Sequence, residues 1–200
     1  MSEVESRPIS WLWDRWLARG KIHLLGGHAG EGKSLLTAAI AAQMSSGSEL
    51  PDGKGVSPVR TLFLLAEDDV ADTVKPRLEL HAARMESIFF IEAVREIDRP
   101  KAIFSLRRHL QLLEEAIREY GIDVLIIDPL SAFLQGSERN SEEVRDLLTP
   151  LADLAALDRR RSTRHHTHRQ ADRDESQTAS TTTGSYCVRA KSRGCLDASS

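Results

Sequence analysis

Cysteine is nearly absent: the 200 residues hold two, Cys187 and Cys195. With no CxxC spacing and no second pair, neither a disulfide framework nor a thiolate zinc site is suggested, and both are read as free thiols. Long apolar runs are lacking too; none approaches the ~20 residues that cross a bilayer. The opening MSEVESRPIS has neither a basic start nor an apolar stretch with a small-residue cleavage site, so no secretory leader is expected. The expected compartment is the cytoplasm, with no membrane partner. Aromatic residues are scarce at 5%, and neither sign of charge dominates, the net charge being -3. With 40% hydrophobic and 28% charged residues the composition is that of a globular domain, which argues against collagenous and fully disordered chains. The length suits one domain.

The small net charge hides an asymmetry. Residues 1–158 carry 18 Lys and Arg against 26 Asp and Glu, whereas 159–200 carry 9 against 4. An acidic body offers no broad nucleic-acid footprint, so such contact would need local loops, the tail or an oligomer. Within 21–158 short apolar runs alternate with helical periods. KIHLL (21–25), RTLFLLA (60–66), SIFFIEAV (87–94) and DVLIID (123–128) read as buried strands. Helices are predicted at 34–45, 70–84, 101–120 and 140–157; the third carries Ile103, Leu106, Leu110, Leu113 and Ile117 as one stripe. Asn140 or Ser141 can cap the fourth, with Glu142 and Glu143 at its positive end. This alternation predicts an α/β fold: a mostly parallel sheet with helices on both faces.

Directly after the first predicted strand comes GGHAGEGKS, in which Gly27, four residues, Gly32, Lys33 and Ser34 satisfy G-x-x-x-x-G-K-[ST]. In such a loop glycines let successive amides face a phosphate, and the following helix aims its N-terminal amides at the same anion. The predicted nucleotide contacts are Gly27, His28, Ala29, Gly30, Glu31, Gly32, Lys33, Ser34 and Leu35. Lys33 would neutralise β- and γ-phosphates and Ser34 would ligate Mg2+. His28 reads as a variable loop position.

A Mg-nucleotide site also needs a carboxylate at the end of a neighbouring strand, and LIIDPLS supplies Asp128, predicted to hold the metal through its water shell. Hydrolysis needs a group to orient or deprotonate water. LFLLAEDD ends a predicted strand in Glu67, Asp68 and Asp69; Glu67 is the candidate base, and Asp68 or Asp69 suits capping of the next helix better. Trp11, Trp13 and Trp16, with Leu12 and Leu17, are expected to cover the edge of a small core rather than to bind membrane or DNA. The segment LSAFLQGSERNSEE, with a single Arg139, reads equally as a nucleic-acid or subunit-contact loop and as an ordinary solvent loop.

The order loop lysine, helix, strand ending in Glu67, and later strand ending in Asp128 resembles the RecA-like P-loop ATPases. The resemblance is to the AAA family branch close to the RepA-type hexameric helicases. LLAEDDVADTVKPRL, with Arg77 and Leu78, is similar to that branch, as is the entry segment WLWDRWLARGKIHLLGG. The resemblance covers about residues 10–157. It implies a RecA-like core, ATP and Mg2+ as ligands, ATP hydrolysis, ring-forming homo-oligomers, and a link to single-stranded DNA or replication proteins. The domain reading is an entry segment (1–20), a core (21–158) and a polar tail (159–200).

The tail departs from the pattern. Val188 and Leu196 are its only large aliphatics, too little apolar surface to offset ~1–2 kcal/mol of backbone entropy per residue, so disorder is expected. Its cationic stretch and His165, His166 and His168 read as solvated. The resemblance implies a further central strand after about residue 158, followed by a His and a Lys that sense the γ-phosphate. Neither is in frame, and the expectation is that the last strands are missing because the tail is read out of register. A one-base shift allows a string such as ITHTVK near His165–Ala171. Two alternatives to the ATPase remain: a small-molecule P-loop kinase, and an ATP-binding remnant without turnover.

Overall fold

The computed structural model describes residue 6 and residues 8–96, 99–102, 104–133, 141–165 and 187–190. Its centre is TLFLL, β3 (Thr61–Leu65), a short apolar run that both faces of a sheet can bury. β3 lies between β4 (Ile88–Glu96) and β6 (Val124–Asp128) and is parallel to both. The ladder to β6 runs in register from Thr61 opposite Val124 to Leu65 opposite Asp128. β5 (Arg99–Ala102) and β7 (Cys187–Ala190) pair antiparallel with β4, giving the order β5-β4-β3-β6 with β7 on β4.

Side-chain alternation along β3 builds the two layers. Leu62 and Leu64 pack with Leu113 of α3 (Leu110–Tyr120) and with Leu147 and Leu151 of α4 (Ser141–His165). Phe63 faces the other way, with Ala38, Ala41 and Ala42 of α1 (Lys33–Ser46) and Leu78 of α2 (Lys75–Leu80). The alanines let α1 lie close to the sheet, and Phe63 stacks on Phe90 with ring centroids 5.6 Å apart. Burial of Leu62, Phe63 and Leu64 contributes about 1.5–3 kcal/mol each. The result is the predicted α/β architecture, a three-strand parallel sheet between helices, of RecA-like P-loop type.

Several boundaries differ from expectation. Residues 21–25 are not a strand: Leu24 is 70% exposed and Leu25 50%. A strand needs a neighbour to take its amides and carbonyls, and among the described residues β6 has no partner on its outer edge. The predicted helix 101–120 is shorter, because β5 occupies its start and the amide of Ser105 donates to Nδ1 of buried His109, holding a turn. Leu106 is still buried, in that turn, while Ile103 lies outside the described residues. The helix at 70–84 divides into a π turn, Val70–Val74, and α2, with Pro76 in the first turn of the latter.

The polar tail also carries structure. α4 continues through His165, since arginine-rich sequence sustains a helix once started. Cys187–Ala190 finds ladder partners on β4. Asn140, Arg139, His166, His168 and Cys195 lie outside the described residues. At the other end, β1 (Trp11–Trp13) and β2 (Leu17–Ala18) form a hairpin that buries Trp13 against Met44, Leu50 and Val59. Trp16 is stacked on Trp13 but is 66% exposed, so only Trp13 fully covers core. No helix among the described residues is long and apolar enough to cross a membrane.

Candidate nucleotide-binding site

The loop 26–32 leads from the exposed 21–25 segment into α1. Gly30 and Gly32 have φ of +82° and +80°, the left-handed region that side chains rarely adopt. An added Cβ would meet nothing within 4 Å at either, so backbone conformation rather than crowding demands glycine there. Gly32 precedes α1 and no side chain caps the helix, so its first-turn N–H groups remain available to an anion.

Within the loop the charged groups are turned inward. The Lys33 ammonium donates to the carbonyl oxygens of Gly27 (2.9 Å) and His28 (2.6 Å). The His28 amide donates to Oε2 of Glu31 at 2.8 Å. His28, Ala29, Gly30 and Glu31 are all exposed, as is Leu35 at 46%. A carboxylate oxygen thus rests on a backbone amide within the loop.

At the start of α1 a small cleft is lined by Ser34 and Thr37 of α1, Asp68, Arg77 of α2 and Asp128, over a floor that includes Phe63 and Leu65. Asp128 arrives there because β6 ends in register with Leu65, and the Ala66 amide reaches its carbonyl at 3.4 Å. Ser34 and Asp128, far apart in sequence, therefore share one cavity wall. A serine hydroxyl and a strand-end carboxylate are hard oxygen donors suited to a hydrated Mg2+, so the residues present fit that ion.

The acidic triplet divides its tasks. Asp69 caps the π turn, its carboxylate accepting from the amides of Ala71 (2.7 Å) and Asp72 (3.2 Å), as the capping expectation allowed. Asp68 lines the cleft and is paired with Arg77 at 2.8 Å. Glu67 leaves the end of β3 exposed and is not among the lining residues. Thr37, Asp68 and Arg77 were not singled out as site residues from sequence. Thr37 had a legible signal, one helical turn beyond Ser34 on the same face. Asp68 with Arg77 had none, because their meeting depends on the turn from β3 into α2.

A family model described as an AAA domain matches residues 2–172, from the tryptophan hairpin through the loop, Glu67 and Asp128 into α4 and beyond it. No curated protein and no solved structure matches. With a glycine-rich loop, a lysine at its end and the strand-end Asp128 in one cleft with Ser34, this chain belongs to the AAA domain family, P-loop ATPases in general and nucleotide-binding in type.

Proposed function

We propose that the chain binds Mg-ATP between the loop 26–32 and β6 and hydrolyses it, as a RecA-like ATPase of the RepA-type branch. The observation that carries the reading is the placement of Ser34, directly after the loop lysine, and Asp128 in one cleft. In this reading the amides of Gly27 to Leu35 surround the α- and β-phosphates. Lys33 exchanges its two loop carbonyls for β- and γ-phosphate oxygens. Ser34 and Asp128 would hold Mg2+, which would offset the charge of the phosphates. Glu67, free of the cleft wall, accepts a proton from the attacking water. Arg77 neutralises Asp68, so the wall does not set a second bare carboxylate beside Asp128. Phosphate release with and without single-stranded DNA tests both the turnover and the replication or helicase-type role that the branch implies. Release without an added acceptor separates this reading from a small-molecule kinase.

Rings of identical subunits, a DNA or replication-protein partner and a cytoplasmic location follow from the same branch reading. So does a division into an entry segment (1–20), a core (21–158) and a polar tail. The free edge of β6 favours a second reading, an ATP-binding chain of weak turnover. All five residues of β6 are only partly buried, and Ile22, Leu24 and Leu25 lie exposed with no ladder partner among the described residues. Both are accounted for if a further strand belongs beside β6 and the tail beyond about residue 158 is read out of register. Reading the gene in its other frames decides: an apolar strand followed by His and Lys supports it, and stop codons or polar sequence contradict it.

A further inference from the structure

We propose that Trp16 and the cations beside it form a stacking platform for single-stranded nucleic acid, on the entry hairpin and apart from the nucleotide cleft. The inference rests on the nucleic-acid link of the proposed function and needs nothing from the ATP site. Trp16 closes the turn between β1 and β2, its amide donating to the Trp13 carbonyl at 3.0 Å. Trp13 is buried and backs the Trp16 ring, with centroids 5.5 Å apart and planes 27° from parallel. One side of the Trp16 ring is therefore fixed while the residue stays 66% exposed. A stacked pair whose outer ring stands in water is a surface on which a nucleobase can continue the stack.

Charge selects the occupant. Residues 11–25 carry Arg15, Arg19 and Lys21 against Asp14 alone, within an acidic body. Asp14 is held by Lys54 at 3.1 Å, and Arg15, Arg19 and Lys21 enter no ion pair among the described residues. Arg15 and Lys21 are exposed. Phosphates along a strand can meet these cations while a base meets the ring. A duplex keeps its base faces in its own stack, so only a single strand offers them. A bilayer would need a broad apolar face. Here Leu12 and Leu17 pack inward with Trp13, leaving only Ile9, Trp11 and Trp16 exposed among the large apolar side chains of 9–17.

The test is fluorescence anisotropy of a labelled oligothymidylate at low salt, without nucleotide, using wild type, Trp16→Ala, Trp16→Phe and the double variant Arg15→Ala with Lys21→Ala. Trp16→Ala weakens binding about tenfold, the scale of one lost base–aromatic stack, and Trp16→Phe recovers part of the loss. The double variant weakens binding and makes the log–log salt dependence shallower by about 1.4, the value for two lost phosphate contacts on a single strand. Binding by Trp16→Ala equal to wild type overturns the platform and leaves the nucleic-acid partner in place; no binding by wild type overturns both. Duplex DNA held as tightly as the single strand overturns the stacking. Anionic phosphatidylserine vesicles that bind wild type through Trp16 while oligothymidylate does not would assign the surface to lipid and overturn the proposal.

Discussion

Lys33 is the only lysine in the loop motif, and its ammonium reaches the carbonyls of Gly27 and His28. In the proposed reading its charge compensates a triphosphate, so Lys33→Ala is expected to abolish ATP binding; a saturable isotherm from that variant would remove the lysine from the account. At the same scale the base assignment separates two neighbouring carboxyls. Glu67→Gln retains nucleotide binding and lowers turnover by about 10²-fold or more, the range for a lost general base. Asp68→Asn, whose carboxylate is already held by Arg77, costs less in the same phosphate-release assay. Equal rates for Glu67→Gln and wild type reject Glu67, and a larger loss from Asp68→Asn transfers the role to the residue that lines the cleft.

Elements show why some of this was readable from sequence. β3, β4 and β6 were legible because each is a compact apolar run whose partners are supplied within the described chain. KIHLL carries the same signal and failed as a strand, since a ladder is a property of pairs and no pair is present for it among the described residues. The glycine-rich loop motif was legible because its signal is local, four positions deciding it: Gly27, Gly32, Lys33 and Ser34. The Asp68–Arg77 pair was not, because its geometry is set by a π turn that periodicity does not encode. Stability measurements should divide the same way. Phe63→Ala, in a fully buried side chain between α1 and α2, costs about 3–5 kcal/mol in urea unfolding. Leu24→Ser, at 70% exposure, costs within about 0.5 kcal/mol. A large loss from Leu24→Ser would mean that 21–25 is paired after all.

For the molecule as a whole, the sheet is covered by helices on both faces yet, among the described residues, open along β6, and the apolar residues of 21–25 lie exposed next to the glycine-rich loop. Native-state hydrogen exchange should reflect this: protected amides in Thr61–Leu65, and rapid exchange at Ile22–Leu25. Protection at Ile22–Leu25 would show that a strand fills the edge in solution. The site nevertheless depends chiefly on α1, the turn after β3 and the end of β6, all of which the described core holds in place. The most direct measurement is a calorimetric titration of ATP with Mg2+ into the purified, folded chain. A single saturable binding event that disappears in Lys33→Ala is the predicted result, and no heat from the wild-type protein would contradict the account.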